Sequence, residues 1–118
     1  MSIESLQQAL AQFSAERAWQ QFHTPKNLVM ALAVETGELM ELFQWLTPGE
    51  SDQIMADSAS AARVREELAD TLAYLLQLAD VLGVDLEEAL TAKIETNRRK
   101  YPAHLAHGRA DKYTQLGK

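Results

Sequence analysis

The chain has 118 residues, of which 47% are hydrophobic and 24% are charged, and its formal net charge is −6 at pH 7. One domain is expected at this length, and the acidic charge excludes the basic surface with which proteins bind a nucleic-acid polymer. The absence of cysteine excludes disulfides, thiolate metal sites and a cysteine nucleophile.

The apolar segments do not predict a membrane protein. The longest purely apolar run, residues 28–34, is much shorter than a membrane-spanning helix. The first ten residues lack the basic and apolar regions of a signal peptide. We therefore expect a cytoplasmic protein with no membrane partner.

Two helices are predicted in the first half of the chain. The first is expected from about Ile3 to Gln21, with three apolar residues on its inner face: Leu6, Leu10 and Phe13. The second begins where Thr24 can act as the N-cap and Pro25 can occupy the first helical position. It is expected to end at the sequence TPGE, residues 47–50.

Two further helices follow a polar segment, residues 51–62, that is expected to be a loop or a fraying turn. The third helix is predicted over residues 62–82 and is closed by Gly83. The fourth begins at Asp85, with Glu88 at the spacing of a capping box, and ends before Pro102. Six apolar residues of the third helix are expected to point inward: Leu68, Leu72, Leu75, Leu76, Ala79 and Leu82.

Four helices joined by short connections predict an all-α fold, a four-helix antiparallel bundle. We expect it to form a single domain over residues 1–118, with an irregular tail at residues 103–118. The leucine-rich helix faces favour oligomerisation.

Two pairs of carboxylates interrupt this apolar pattern. Glu35 occupies a position in the leucine register of the second helix, and Glu38 follows one turn later. Glu67 and Asp70 repeat the three-residue spacing at the edge of the apolar face of the third helix. Gly37, between the first two glutamates, suggests close approach of a ligand or of another helix.

Four carboxylates in a poorly solvated setting do not all remain ionised without help. Either they point into solvent, as most helical glutamates do, or cations hold them. Carboxylate oxygens suit Mg²⁺ or Mn²⁺, which leave coordination positions for phosphate oxygens. A di-iron bundle is not favoured, because no histidine stands three residues after a glutamate.

The sequence blocks around these carboxylates resemble the all-α nucleoside triphosphate pyrophosphohydrolase superfamily, and within it the MazG-like branch that includes dCTP pyrophosphatases. The blocks are FHTPKNLVMALAVETGELMELFQW, EELADTLAYLLQLADVLGVDL and KIETNRRKYPAHLA with KYTQL, and the likeness spans about residues 19–116. The pattern that carries it is E-x-x-E followed by E-x-x-D.

The resemblance implies that Mg²⁺, with Mn²⁺ as a substitute, is held by four carboxylates: Glu35, Glu38, Glu67 and Asp70. It implies hydrolysis of a nucleoside triphosphate, with dCTP or a modified dCTP first, to a monophosphate and pyrophosphate. We expect Glu38 to orient or deprotonate the attacking water, with Glu41 as a second candidate. The resemblance also implies a homo-oligomer, commonly a tetramer built from dimers.

By the same resemblance, a nucleobase and sugar pocket is expected from the segment Trp19, Gln20, Gln21, Phe22 and His23, together with Trp45 and Tyr74. Indole rings suit stacking on a base, although a lone tryptophan is more often a core or interface residue. On the fourth helix, Lys93 and Asn97 lie four residues apart and are expected to contact phosphate and sugar oxygens, the alternative being a polar helix flank.

One residue departs from the family pattern at a position that affects which nucleobase is bound. Animal members of the branch have a histidine of the first helix facing the nucleotide, where this chain has Leu10. A dUTP hydrolase and a broad-specificity nucleoside triphosphate pyrophosphohydrolase therefore remain alternatives. A non-catalytic helical interaction module, with its acidic pairs in solvent, is the alternative from a different class.

Overall fold

In the computed structural model, which describes residues 1–117, the chain is helical and contains no strand in that range. The all-α prediction is confirmed. No helix in this part of the chain is both long enough and apolar enough to cross a membrane. Residues 1–117 form six α-helices: α1 (Ile3–Glu16), α2 (Pro25–Glu41), α3 (Pro48–Asp52), α4 (Ser58–Leu82), α5 (Leu86–Lys100) and α6 (Ala103–Ala106).

The helix α1 ends at Glu16, five residues before the predicted end at Gln21. Ala18 adopts the left-handed conformation, with φ of 53°. Its N–H bonds the carbonyl of Ala15, and the N–H of Trp19 bonds the carbonyl of Ser14 at 2.9 Å. This is the Schellman arrangement that closes many helices, here without the usual glycine.

The helix α2 begins as predicted, since the Thr24 side chain accepts a hydrogen bond from the N–H of Asn27 and Pro25 opens the helix. Its end at Glu41 comes earlier than predicted, and a short run of turns follows. The sequence TPGE begins a new helix, α3. Thr47 and Glu50 form a complete capping box there, with hydrogen bonds in both directions.

The helix α4 starts at Ser58, within the segment that was expected to be a loop or turn. Asp57 caps it by accepting a hydrogen bond from the N–H of Ser60 at 2.9 Å. Gly83 closes it in the left-handed conformation, as predicted, with φ of 70°. Asp85 then caps α5, which ends before Pro102, also as predicted.

The core forms where α4 packs against α2 and α1. The Gln7 amide of α1 donates a hydrogen bond to the Leu76 carbonyl of α4 at 2.9 Å. Of the six residues of the third helix predicted to point inward, four are exposed, namely Leu68, Leu72, Leu75 and Leu82. The prediction was wrong for these four because α1 and α2 cover only part of the apolar face of α4. The buried apolar residues are Leu28, Ala61, Val64, Leu76 and Ala79.

Contacts divide the chain into two compact units, the first being Met1–Gly83 and the second beginning at Val84. The second unit contains α5, α6 and a 3-10 turn at Tyr113–Gln115, so the tail is not wholly irregular. A single domain and a four-helix antiparallel bundle stay predictions.

Candidate metal centre and adjoining cavity

Three glutamates from two helices converge in the first unit. The helix α2 supplies Glu35 and Glu38, one turn apart, and α4 supplies Glu67. One carboxylate oxygen from each lies within 4.8 Å of the others. They meet because α2 and α4 pack directly against each other, and because Glu35 takes a place in the leucine register that faces α4.

Burial makes this cluster electrostatically unfavourable when every carboxylate is ionised. Oε2 of Glu35 and Oε2 of Glu67 are both covered and have no hydrogen-bond partner. The pKa of Glu35 is raised from 4.5 to about 7, first by burial, then by the close approach of the Glu67 carboxyl group, and then by the charges of Glu38 and Asp70.

Asp70 lies one turn beyond Glu67 on α4. It is not one of the three carboxylates whose oxygens lie within 4.8 Å of one another. Its charge nevertheless raises the pKa of Glu35, so Asp70 borders the cluster. Its side chain also lines a neighbouring cavity and so connects the carboxylates with that space.

A divalent cation fits this set of residues. It would occupy the space among the covered oxygens, which have no donor in the described chain, and would offset the repulsion among the carboxylates. All the donors are hard carboxylate oxygens, the ligands of Mg²⁺ and Mn²⁺. An acidic pair at a solvated surface would have no covered, unpartnered oxygens.

A cavity of about 220 Å³ begins beside Asp70 and runs along α4. Tyr74 and Gln77, one and two turns further along the helix, line the same cavity. Trp19 and His23 form part of the opposite wall. Its remaining lining comes from Leu10, Phe13 and Ser14 of α1 and from Ala73 of α4.

The end of α1 determines how the aromatic wall is built. The left-handed turn at Ala18 brings Trp19 back against Phe13, with the two rings edge to face and their centroids 5.7 Å apart. His23 packs edge to face on Trp19, with centroids 6.4 Å apart. The buried Ser14 hydroxyl lies 3.5 Å from Nδ1 of His23 and holds the imidazole in this wall.

A second cavity of about 150 Å³ adjoins the first. Three residues line both cavities, namely Ser14, His23 and Gln77. The second cavity is otherwise mostly apolar, with the polar side chains of Gln20 and Asp80 at its edge. The two cavities together provide a mainly apolar space that leads away from the carboxylates.

The predicted site residues do not all come together. Of the segment 19–23, Trp19 and His23 line the first cavity and Gln20 lines the second. The Gln21 amide bonds the Ala18 carbonyl at 3.0 Å, and Phe22 is exposed.

Four other predicted residues lie outside both cavities. Trp45 is 86% exposed, and Glu41 is exposed at the end of α2. Lys93 and Asn97 are exposed on α5, in the second unit, and their substrate contacts stay predictions.

Sequence reasoning missed four residues that line the first cavity, namely Phe13, Ser14, Ala73 and Gln77. Gln77 could have been found, because Asp70, Tyr74 and Gln77 stand at steps of four and three on one helix face. Ser14 carried no such signal, since its position depends on where α1 ends.

Comparison with known proteins gives consistent findings. The family model described as the MazG-like family matches residues 30–116. The dCTP pyrophosphatase 1 of Homo sapiens is 48% identical over 115 residues, which cover 98% of this chain and 68% of that protein. The Bos taurus protein of the same name is 47% identical with the same coverage. A pyrophosphatase from Archaeoglobus fulgidus superposes with a TM-score of 0.79 at 41% identity, covering 84% of this chain and 91% of that one.

Proposed function

The chain belongs to the MazG-like family, and we propose that it hydrolyses a nucleoside triphosphate, dCTP or a modified dCTP, to the monophosphate and pyrophosphate. The observation that carries the proposal is the convergence of Glu35, Glu38 and Glu67, bordered by Asp70, which lines a cavity of about 220 Å³. The names of the relatives support the choice of dCTP. A cytoplasmic role in nucleotide-pool housekeeping is part of the same proposal.

We assign Mg²⁺, with Mn²⁺ as a substitute, to Glu35, Glu38, Glu67 and Asp70. When bound, such an ion neutralises phosphate charge and polarises the phosphorus centre. The protein residues hold the carboxylate oxygens in place, because two rigid helices present them. The covered oxygens of Glu35 and Glu67 support this assignment better than a role in hydrogen bonding.

In the proposed reaction, water attacks the α-phosphorus and the bond to the bridging oxygen of the β-phosphate breaks. The proton of the water passes to a carboxylate, and pyrophosphate leaves. Glu38 is our choice for this carboxylate, since it is the most exposed member of the cluster and so the most accessible to water. Glu41, one turn further on, is the second candidate.

The nucleoside is proposed to lie in the first cavity. Tyr74, one turn beyond Asp70, stands where a sugar would follow a phosphate bound at the carboxylates. The rings of Trp19 and His23 offer surfaces for stacking on the base.

We also propose that the active form is a homo-oligomer, a tetramer built as a dimer of dimers. Large apolar side chains of α2 and α4 remain exposed in the single chain, among them Met30, Val34 and Leu72. Monomeric proteins rarely leave so much apolar surface in contact with water. Trp45, which lines neither cavity, would then serve the site of a neighbouring subunit.

The direct test measures pyrophosphate release from dCTP, 5-methyl-dCTP, dUTP, dTTP and the ribonucleotides, with Mg²⁺ and with EDTA. We expect release that is fastest with the cytosine nucleotides and abolished by EDTA. E67Q should lose at least about 100-fold in kcat, whereas E66Q, the adjacent exposed glutamate, should keep full activity. Absence of release from every nucleotide would contradict the proposal and support a non-catalytic helical module. Equal rates across the panel would indicate a broad-specificity enzyme.

A further inference from the structure

Gln77 stands at the far end of the first cavity from the carboxylates. Asp70, Tyr74 and Gln77 follow one another along one face of α4 and all line this cavity. At 1.5 Å per residue, the seven residues from Asp70 to Gln77 span about 10 Å of helix axis. That length matches the reach from the α-phosphate of a nucleotide, past its sugar, to the far edge of a pyrimidine.

The amide of Gln77 has a defined orientation. Its Nε2 donates a hydrogen bond to the carbonyl oxygen of Ala73 at 3.1 Å, and the reversed amide would place two oxygens against each other. The side-chain oxygen therefore points away from that carbonyl. In the described part of the chain it accepts no hydrogen bond, and it is not sealed from solvent.

The other two polar side chains at this end of the cavity, Ser14 and His23, contact each other. The Ser14 hydroxyl lies against Nδ1 of His23. The imidazole donates or accepts according to its tautomer, so it does not by itself select one edge of a base. Leu10, Phe13 and Ala73 are apolar. Gln77 thus presents the one oriented side-chain carbonyl of this cavity lining.

We propose that Gln77 determines base specificity, its side-chain oxygen accepting a hydrogen bond from the exocyclic amino group of the base. This inference rests on the proposed function and extends it to the recognised chemical group. Cytosine carries an amino group where uracil and thymine carry an oxygen. An oxygen placed against the Gln77 carbonyl would leave two acceptors facing each other, which costs more than the loss of one hydrogen bond.

The test compares kcat/KM for dCTP and dUTP in the wild type and in two variants. Q77M keeps the side-chain length and removes the acceptor, so we expect kcat/KM for dCTP to fall at least about tenfold. We expect kcat/KM for dUTP to rise, because no side-chain oxygen then faces the uracil oxygen. Q12M, at an exposed glutamine of α1 outside both cavities, serves as the matched control and should behave as the wild type.

The outcomes separate this inference from the proposed function. An active wild type that hydrolyses dUTP as readily as dCTP would overturn the role of Gln77 and leave the hydrolase activity intact. The same holds if Q77M slows both substrates equally, since that pattern indicates a structural effect. A wild type that releases no pyrophosphate with any nucleotide refutes the proposed function itself. Thermal unfolding of Q77M checks that the variant is folded.

Discussion

Glu35 occupies a position that the leucine pattern of α2 reserves for an apolar side chain. Its raised pKa, about 7 instead of 4.5, means that the folded protein without metal holds a proton that the unfolded chain releases between those values. Stability then falls as the pH rises through this window, and the loss is complete above about pH 7. The caps Glu50 and Asp57 have lowered pKa values, so their contribution to stability is present at neutral pH and is lost only as the pH falls below their ordinary values.

We therefore expect the metal-free protein to have a larger free energy of unfolding at pH 5 than at pH 7.5. Urea unfolding in EDTA at several pH values measures this difference. E35Q should flatten the profile, and the control E66Q should leave it unchanged. Addition of Mg²⁺ should stabilise the wild type most at the higher pH, because protons and the ion compete for the same oxygens. A pH profile of E35Q identical to that of the wild type would contradict the assignment.

Ala18 adopts a left-handed conformation that costs an L-residue with a Cβ about 1 kcal/mol. Glycine has no such cost, so A18G should raise the free energy of unfolding by about 1 kcal/mol, less the entropy that glycine adds to the unfolded chain. A15G, within α1, should lower it by a similar amount. Urea unfolding of both variants measures the difference, and equal destabilisation by both would show that Ala18 is unstrained.

At the scale of single residues, the sequence pattern singled out Glu35, Glu38 and Glu67, which lie together in the structure. Glu35 stands in a leucine register, and the periodicity alone shows that a charge occupies a position expected to be apolar. The role of Ser14 could not be predicted in this way. Its burial and its contact with His23 depend on Ala18, where no glycine announces the end of the helix.

Helices were predicted best where local chemistry specifies their ends. Thr24 with Pro25, Gly83 and Asp85 each mark an end that the structure confirms. The sequence TPGE carries the same signal as Thr24 with Pro25. The prediction that it ends a helix was wrong, because it begins α3. Threonine followed by proline opens helices, because the hydroxyl accepts from an early N–H and the proline lacks one.

Gly37 weakens α2 without an evident reason in the single chain. A Cβ built at this position would meet no atom within 4 Å, so neither a helix contact nor a crowded backbone requires the glycine. We expect G37A to raise the free energy of unfolding by about 1 kcal/mol. The control A33G, at an exposed position one turn earlier, should lower the free energy of unfolding by a similar amount. A loss of stability in G37A at high protein concentration alone would show that a second chain occupies this space.

At the scale of the whole molecule, the prediction that Leu68, Leu72, Leu75 and Leu82 of α4 are buried was wrong. A periodic pattern shows which residues share a helix face, but it does not show what covers that face. The helix α4 has more apolar surface than α1 and α2 can bury. Leu68 and Leu72 are exposed by 53% and 46%. The same exposure supports the proposed oligomer, in which other copies of the chain would cover these side chains.

The outer face of α2 gives the sharpest test of that proposal. Met30 and Val34 are 57% and 59% exposed, and Gly37 follows them at the next helical step on the same side. We expect the wild type to have a mass in solution several times the 13.2 kDa of one chain, as measured by light scattering. The double variant M30E/V34E would place charges in the apolar contact and should shift the mass toward that of a single chain. T36E, which adds a charge to the same helix away from these residues, should retain the wild-type mass. A monomeric wild type would contradict the proposed oligomer itself. A double variant of unchanged mass would remove this face from the assembly and leave the α4 leucines to account for it.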